Sequence, residues 1–462
     1  MKYPIITAAV VAALAGASHS AHALDVATTL AAPVQLVAAG ASAARDSFLA
    51  ELHNTVCASG TLNVYRAIPT ALQDFRAYSC TITNGGTPGT VFGSAAGGNA
   101  TIYYRAEGGS GWGPASIATG RTIQSLVVDG RCVLNGTIPA GTSSVGVFDC
   151  AVAGYSLATD TVTSGLTKRA TELGISDEEP NMYVDANYPG VASTAFPAFS
   201  GAVKAQLNGL NRTVGFAQVF GVLLSNTGPT AGITSLTPAE VAGIYSGSIT
   251  DWHSTLDPVT NTRNPAGAIT VVRRENGSGT QVAAAAQFLG TLNCSPNGAL
   301  AFVTDGADAD SAACTAANPA GGTNTDGVLE RGTTSDLEAC IRFNSGAVGP
   351  DVFKGTTPTG THFAAINGVA PSKYAAAKGD YKYWYELTLQ TGSGMTTADA
   401  AAAAGFIGIS QRVGNTPTTD SAMALPNLFN VPVLPTATTG VPISVATRGG
   451  NSCQNPVQQF IP

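Results

Sequence analysis

The stretch best equipped for chemistry in this 462-residue chain is Arg273-Arg274-Glu275-Asn276-Gly277-Ser278-Gly279-Thr280. The residues before it, Ile269 to Arg273, read as a strand, and Thr280 to Leu289 after it read as a helix. A strand, a glycine-rich turn and a helix start leave backbone N–H groups open at the positive end of the helix dipole, which holds an anion without needing a full positive charge. Ser278 and Thr280 add hydroxyls, and an arginine adds a planar fork that meets two oxygens at once. The G-K-[ST] ending of a nucleotide phosphate loop is missing, which excludes that reading. Taken alone, a G-S-G turn is more often only a turn.

Two further segments repeat the arrangement. Gly40-Ala41-Ser42 links the strand Val34 to Ala38 to a helical pattern from Ala43 to Cys57, where Ser42 serves equally well as a plain N-cap. Gly108-Gly109-Ser110-Gly111-Trp112-Gly113 precedes Pro114 and another short helical pattern. Three strand-to-helix turns with hydroxyls could converge on one tetrahedral anion, and the coincidence weighs more than any single turn. The fourth segment, Gly174-Ile175-Ser176-Asp177-Glu178-Glu179-Pro180, carries acids. Monohydrogen phosphate can donate its proton to a carboxylate, whereas sulfate has none to give. A buried Asp177 would therefore meet sulfate with an unpaired, repelling charge, at a cost of about 1–3 kcal/mol or more. Outside such a site Asp177 is an ordinary solvated loop acid.

The elements around these segments alternate β-rich runs with helical patterns and show no repeat, as in an α/β protein. Phe216 to Leu224 is an apolar strand, and Thr237, Pro238 and Glu240 form a capping-box helix start. Gly120 to Gly165, rich in Val, Thr, Ser and Gly, reads as an inserted β-hairpin region with its own disulfide. Asp305 to Gly327 reads as a surface loop pinned by Cys314. The proline-rich tail after Pro426 reads as extended and tied down by Cys453.

Bulk composition narrows the function. Hydrophobic residues make up 44% and charged residues only 11%, with 54 glycines, so the chain is globular with a polar but weakly charged surface. A net charge of −7 and no basic run exclude a nucleic-acid partner, and mean that any anion is captured by local geometry rather than long-range attraction. Lys2, the apolar run Pro4 to Ala17 and Ala21-His22-Ala23 read as a Sec-type signal peptide over 1–23, with an expected mature start at Leu24. That run is too short to span a bilayer, no later segment is apolar enough to do so, and no cysteine marks a lipid anchor. Eight cysteines without a C-x-x-C favour disulfides in an exported chain. Of the 105 possible connectivities, the near pairs Cys57–Cys80 and Cys132–Cys150 are the expected ones.

In this order the four segments resemble the phosphate-binding members of the type II periplasmic binding proteins that serve ATP-driven transporters. That pattern runs G-A-[ST] near the mature start, a G-S turn, an S-D pair and R-x-x-G-S-G-T. Leu236 to Trp252 and Ile366 to Tyr381 resemble further stretches of the family, so the likeness covers most of the mature chain. The resemblance implies an α/β fold of two lobes joined by two crossing strands, near Phe216 to Leu224 and Tyr381 to Leu389. Lobe I would take 24–221 plus 385–462, with the β-rich insertion at about 120–165, and lobe II would take 222–384. It implies ligand contacts from Ser42 and the backbone of Ala41, from Ser110, from Asp177 as proton acceptor, and from Arg274, Ser278, Gly279 and Thr280. Arg273 is the spare arginine, since spacing to the G-S-G-T favours Arg274, and Ser176 either adds a hydroxyl or caps. The expected ligand is inorganic phosphate or a similar oxyanion, held by a periplasmic or secreted monomer for an ABC transporter permease, with no cofactor and no metal. The insertion, the cysteines and the tail depart from a minimal transport subunit.

Two other readings stand beside it. An exported surface or matrix protein could keep the fold without transport. A phosphoester hydrolase is disfavoured, because His53, His253 and His362 are scattered and no H-E-x-x-H, G-x-S-x-G or clustered metal signature is present.

Overall fold

In a computed structural model, residues 26–45, 48–49, 52–83, 97–140, 143–191, 193–290, 294, 300–305, 314–321, 326–412 and 443–461 are described. The signal peptide and cleavage site read from 1–23 lie outside them, as does the part of the tail between 413 and 442.

The strands of the first half are β1 (Val34–Gly40), β2 (Asn63–Ile68), β3 (Phe75–Thr81), β4 (Asn99–Arg105), β5 (Ile123–Leu126), β6 (Cys132–Ala140), β7 (Ser143–Ala151), β8 (Leu166–Arg169) and β9 (Leu173–Ser176). A long strand, β10 (Thr213–Ser225), leads into the second half. There follow β11 (Ser235–Leu236), β12 (Leu256–Asp257), β13 (Thr262–Arg263), β14 (Thr270–Arg274), β15 (Val328–Arg331), β16 (Ala347–Val352) and β17 (Thr361–Ile366). The chain returns through β18 (Trp384–Thr391) and ends in β19 (Ile443–Thr447) and β20 (Val457–Ile461).

One mixed sheet runs in the order β15-β14-β16-β10-β18-β9-β1-β4-β3-β2-β7-β6, with β17 and β11 attached beside β10. Among the described strands, β10 and β18, antiparallel to each other, carry the sheet from one side to the other: β10 pairs with β16 and β17, and β18 pairs with β9. Helices cover the faces, which makes the molecule mixed α/β. The apolar core is split in the same way. Leu36, Ile102, Tyr104, Leu387 and Phe406 belong to one cluster, and Phe220, Trp252, Val271, Tyr383 and Trp384 to another.

Local sequence explains the inner strands. β1 and β14 are parallel to their neighbours and buried along nearly their whole length, β1 on mostly apolar residues and β14 on Val271 and Val272 with the two buried arginines at its C-terminal end. The helix Pro238–Tyr245 starts with the expected reciprocal cap: the Thr237 hydroxyl accepts from Glu240 N–H and the Glu240 carboxylate accepts from Thr237 N–H. In the parallel pairings β9–β1–β4 and β15–β14–β16, strand C-termini lead into loops that lie together, the place where open α/β sheets gather ligands.

Four disulfides are present: Cys57–Cys80, Cys132–Cys150, Cys294–Cys453 and Cys314–Cys340. The first two match the near pairs expected from the sequence, and Cys314 pins its loop to the helix Thr334–Phe343. The hairpin within 120–165 differs from a free-standing insertion, because β7 pairs in parallel with β2 and so β6–β7 extends the main sheet. Between Ala43 and Cys57 the described residues are α-helical at Arg45, Phe48 and Leu49 and form a π-helical turn over Leu52–Val56.

Candidate anion site

β4 ends in Arg105, and Glu107 then leads into the turn of Gly108 and Gly109, both at positive φ (85° and 83°). A side chain at Gly108 would strike the Trp112 ring, with a Cβ 2.1 Å from its Nε1; one at Gly109 would lie 2.8 Å from the Cα of Ser278. Glycine is needed at both, for φ and for space. The turn therefore meets the Gly277-Ser278 turn backbone to backbone, and Gly111 N–H donates to Gly277 O across 2.8 Å.

This contact brings three segments distant in sequence to one point. Ser110 Oγ donates to Asp177 Oδ2 at 2.7 Å. A Cβ placed on Gly279 would lie 2.3 Å from Asp177 Oδ2 and 2.4 Å from Ser110 Oγ. Ser110, Asp177, Ser278, Gly279 and Thr280 are all buried. The helical segment that starts at Gly279 continues through a π-helical turn to Leu289, so its first N–H groups open beside the Ser110–Asp177 pair.

Strand alternation separates the two arginines. Arg274 is buried, and its guanidinium donates to Arg331 O (3.1 Å), Gly332 O (2.7 Å) and Thr334 Oγ1 (3.0 Å). It is close enough to Asp177 to favour that carboxylate. Arg273 faces the other way, donating to Val303 O and Asn276 Oδ1 and pairing with Glu330 at 3.3 Å.

The first segment docks on the strand that leads into Asp177. At Gly40 (φ 133°) a Cβ would fall 1.8 Å from Ile175 O, Ala41 N–H donates to that carbonyl at 2.7 Å, and Ala41 O accepts from the Tyr104 hydroxyl at 2.5 Å. Ala41 thus has both backbone groups engaged. Ser42 lines a cavity of about 200 Å3 with Arg45, Asp74, Thr334, Asp336 and Lys354. Arg274 bridges the two regions through Thr334. Ser176 donates to the Tyr183 hydroxyl at 2.8 Å, which itself donates to Glu178.

Burial sets the electrostatics. It pushes the Asp177 carboxyl up to about 6, against the opposing pull of the Ser110 hydrogen bond and of Arg274. Glu107 is pushed up to about 8 and Glu275 well above the ordinary range, burial being the main cause for both, with the Asp74 charge adding to the rise of Glu107 and the Glu107 charge to that of Glu275. These two acids, buried beside Arg274, and Thr334, which lines the cavity next to it, are groups that sequence reasoning passed over. Glu107 and Glu275 each stand two residues before a G-S-G, in E-G-G-S-G and E-N-G-S-G, and that shared spacing was the available signal.

Residues 217–408 match the model of the PBP superfamily domain. The matched segment holds most of β10, all of β18 and the R-E-N-G-S-G-T loop between them. Among solved structures, the chain is similar to an ABC-type phosphate transport receptor from Vibrio cholerae, at 16% identity over 52% of this chain and 74% of that one, with a TM-score of 0.32. It is similar to a phosphate-binding protein from Stenotrophomonas maltophilia, at 16% identity over 51% and 68% with a TM-score of 0.32. It is also similar to a human phosphate binding apolipoprotein, at 14% identity over 56% and 76% with a TM-score of 0.37. No curated protein matches the chain. No helix among the described residues is long and apolar enough to cross a membrane.

Proposed function

We propose that the protein captures inorganic phosphate, or another protonated tetrahedral oxyanion, in a cleft between two lobes. The lobes are 24–221 with 385–462, and 222–384. Asp177 accepts the ligand's proton, Ser110, Ser278 and Thr280 offer hydroxyls, and the amides from Gly279 onward meet the remaining oxygens. Arg274 supplies the positive charge, and Ser42 closes the cleft from the neighbouring cavity. The observation that carries this reading is the meeting of Ser110, Asp177 and Gly279, whose atoms leave no room for a single methyl group between them.

The set suits binding better than turnover. A carboxyl, hydroxyls, amides and one guanidinium can hold an oxyanion, but a hydrolase also needs an activated nucleophile or a metal. We take the role to be uptake, with the monomeric protein exported to the periplasm or beyond and delivering its ligand to an ABC transporter permease. Calorimetric titration of the phosphate-stripped protein with phosphate, arsenate, sulfate and molybdate tests the ligand class. Binding of phosphate and arsenate with sulfate excluded at neutral pH is the expected result, and no heat with any of the four would refute it.

A further inference from the structure

The C-terminal hairpin lies across both crossing strands. Arg448, 4% exposed, donates to Trp384 O (2.9 Å), Lys382 O (2.6 Å) and Gln454 O (2.5 Å), and stacks 4.4 Å from the Tyr385 ring. The Glu386 carboxylate on β18 accepts the amides of Arg448 (3.1 Å) and Gly450. Gly450, at φ 69°, sits so close to β10 that a Cβ there would fall 2.2 Å from Val214 Cγ2. On one side Ser452 N–H donates to Glu179, two residues beyond Asp177. On the other, Arg448 reaches Gln287 Oε1 at 3.4 Å, and Cys453 is bonded to Cys294 beyond the helical segment that begins at Gly279. Cys294 in turn packs with Met182, Tyr183 and Val282, where the two sides of the sheet meet.

Opening a cleft by rotation about β10 and β18 would move Glu179 relative to Gln287 and Cys294, and one short segment is fastened to all three. We propose that residues 443–461 form a strap across the hinge, locked by Cys294–Cys453, which holds the cleft closed and slows release of its ligand. The proposal rests on the two-lobed reading above. It adds a constraint on the hinge that the binding residues do not supply.

The test uses the full chain carrying Cys294→Ala with Cys453→Ala, and separately Arg448→Gln, which leaves the disulfide intact. Gly111 N–H, which donates across the seam to Gly277 O, reports opening by hydrogen exchange whatever the ligand. In the disulfide variant its exchange should speed up roughly tenfold while the β3–β4 amides keep their protection, and release of bound phosphate should accelerate by a similar factor. Should the double variant fail to fold, Arg448→Gln carries the same expectation. Unchanged exchange at Gly111, or equal acceleration at every amide, overturns the strap. A wild-type protein that binds no phosphate sinks the ligand assignment alone, since the exchange measurement still decides the strap.

Discussion

Asp177 holds Oδ2 against the Ser110 hydroxyl, while Oδ1 is buried without a hydrogen-bond partner among the described residues. Its raised proton affinity, to about 6 from an ordinary 3.8, follows chiefly from desolvation. Above that value the charged carboxylate accepts a proton from monohydrogen phosphate and repels sulfate. Below it, the carboxylic acid can itself donate to sulfate. Sulfate affinity should therefore rise as pH falls through about 6, and Asp177→Asn should bind sulfate with little pH dependence and discriminate poorly at neutral pH. Competition calorimetry at about pH 5 and about pH 8 reads both effects, and sulfate exclusion that survives Asp177→Asn would remove the residue from the selectivity role. The stability of the empty protein follows the same sign. A carboxyl whose folded value lies above its unfolded one stabilises fully below about 3.8, and that contribution is lost as pH rises through about 6. The shift corresponds to about 3 kcal/mol, which the asparagine variant would remove from the pH dependence of unfolding.

Turns rather than side chains form most of the cage. Gly109, Gly277 and Gly279 let two strand-to-helix connections touch through their backbones. Gly279→Ala adds one methyl that would overlap both Asp177 Oδ2 and Ser110 Oγ, and neither buried side chain can move away without losing their hydrogen bond. Phosphate affinity should fall by about tenfold or more, a cost of the order seen for overpacked sites; calorimetry on the variant checks it, and an unchanged dissociation constant would move the ligand away from this helix start. The same turns show why part of the site was legible beforehand. Ser110, Asp177 and the G-S-G-T residues sit in short motifs whose spacing already encodes a strand, a tight turn and a helix start. Two other questions needed the folded chain. Spacing to the G-S-G-T already favoured Arg274 over its chemically identical neighbour, but the partners each arginine meets follow from the face of β14 on which it projects. Acids such as Glu107 and Glu275 are counterintuitive beside an anion, and only their burial next to Arg274 brings them into the site.

Across the whole molecule, the positions of the crossing strands were readable because each is a long apolar or aromatic run: β10 contains the expected Phe216 to Leu224, and β18 overlaps Tyr381 to Leu389 from Trp384 onward. Long-range pairings were not. Cys57–Cys80 and Cys132–Cys150 are separated by 23 and 18 residues, the first fastening the residue after a π-helical turn to β3 and the second joining the paired strands β6 and β7, whereas Cys294–Cys453 spans 159 residues and depends on how the tail crosses the hinge. The β6–β7 hairpin likewise read as an isolated insertion, because its parallel pairing with β2 is non-local and leaves no mark in a local pattern.

Both sides of the sheet must deliver their turns to one small anion, and arsenate locates that anion through its anomalous scattering. Crystals of the phosphate-stripped protein grown with arsenate should show a single arsenic peak within hydrogen-bonding reach of Ser110 Oγ, the Asp177 carboxyl, the amide of Gly279 and the Arg274 guanidinium. A strong peak elsewhere, or none at saturating arsenate, would contradict the assignment of this cleft as the binding site.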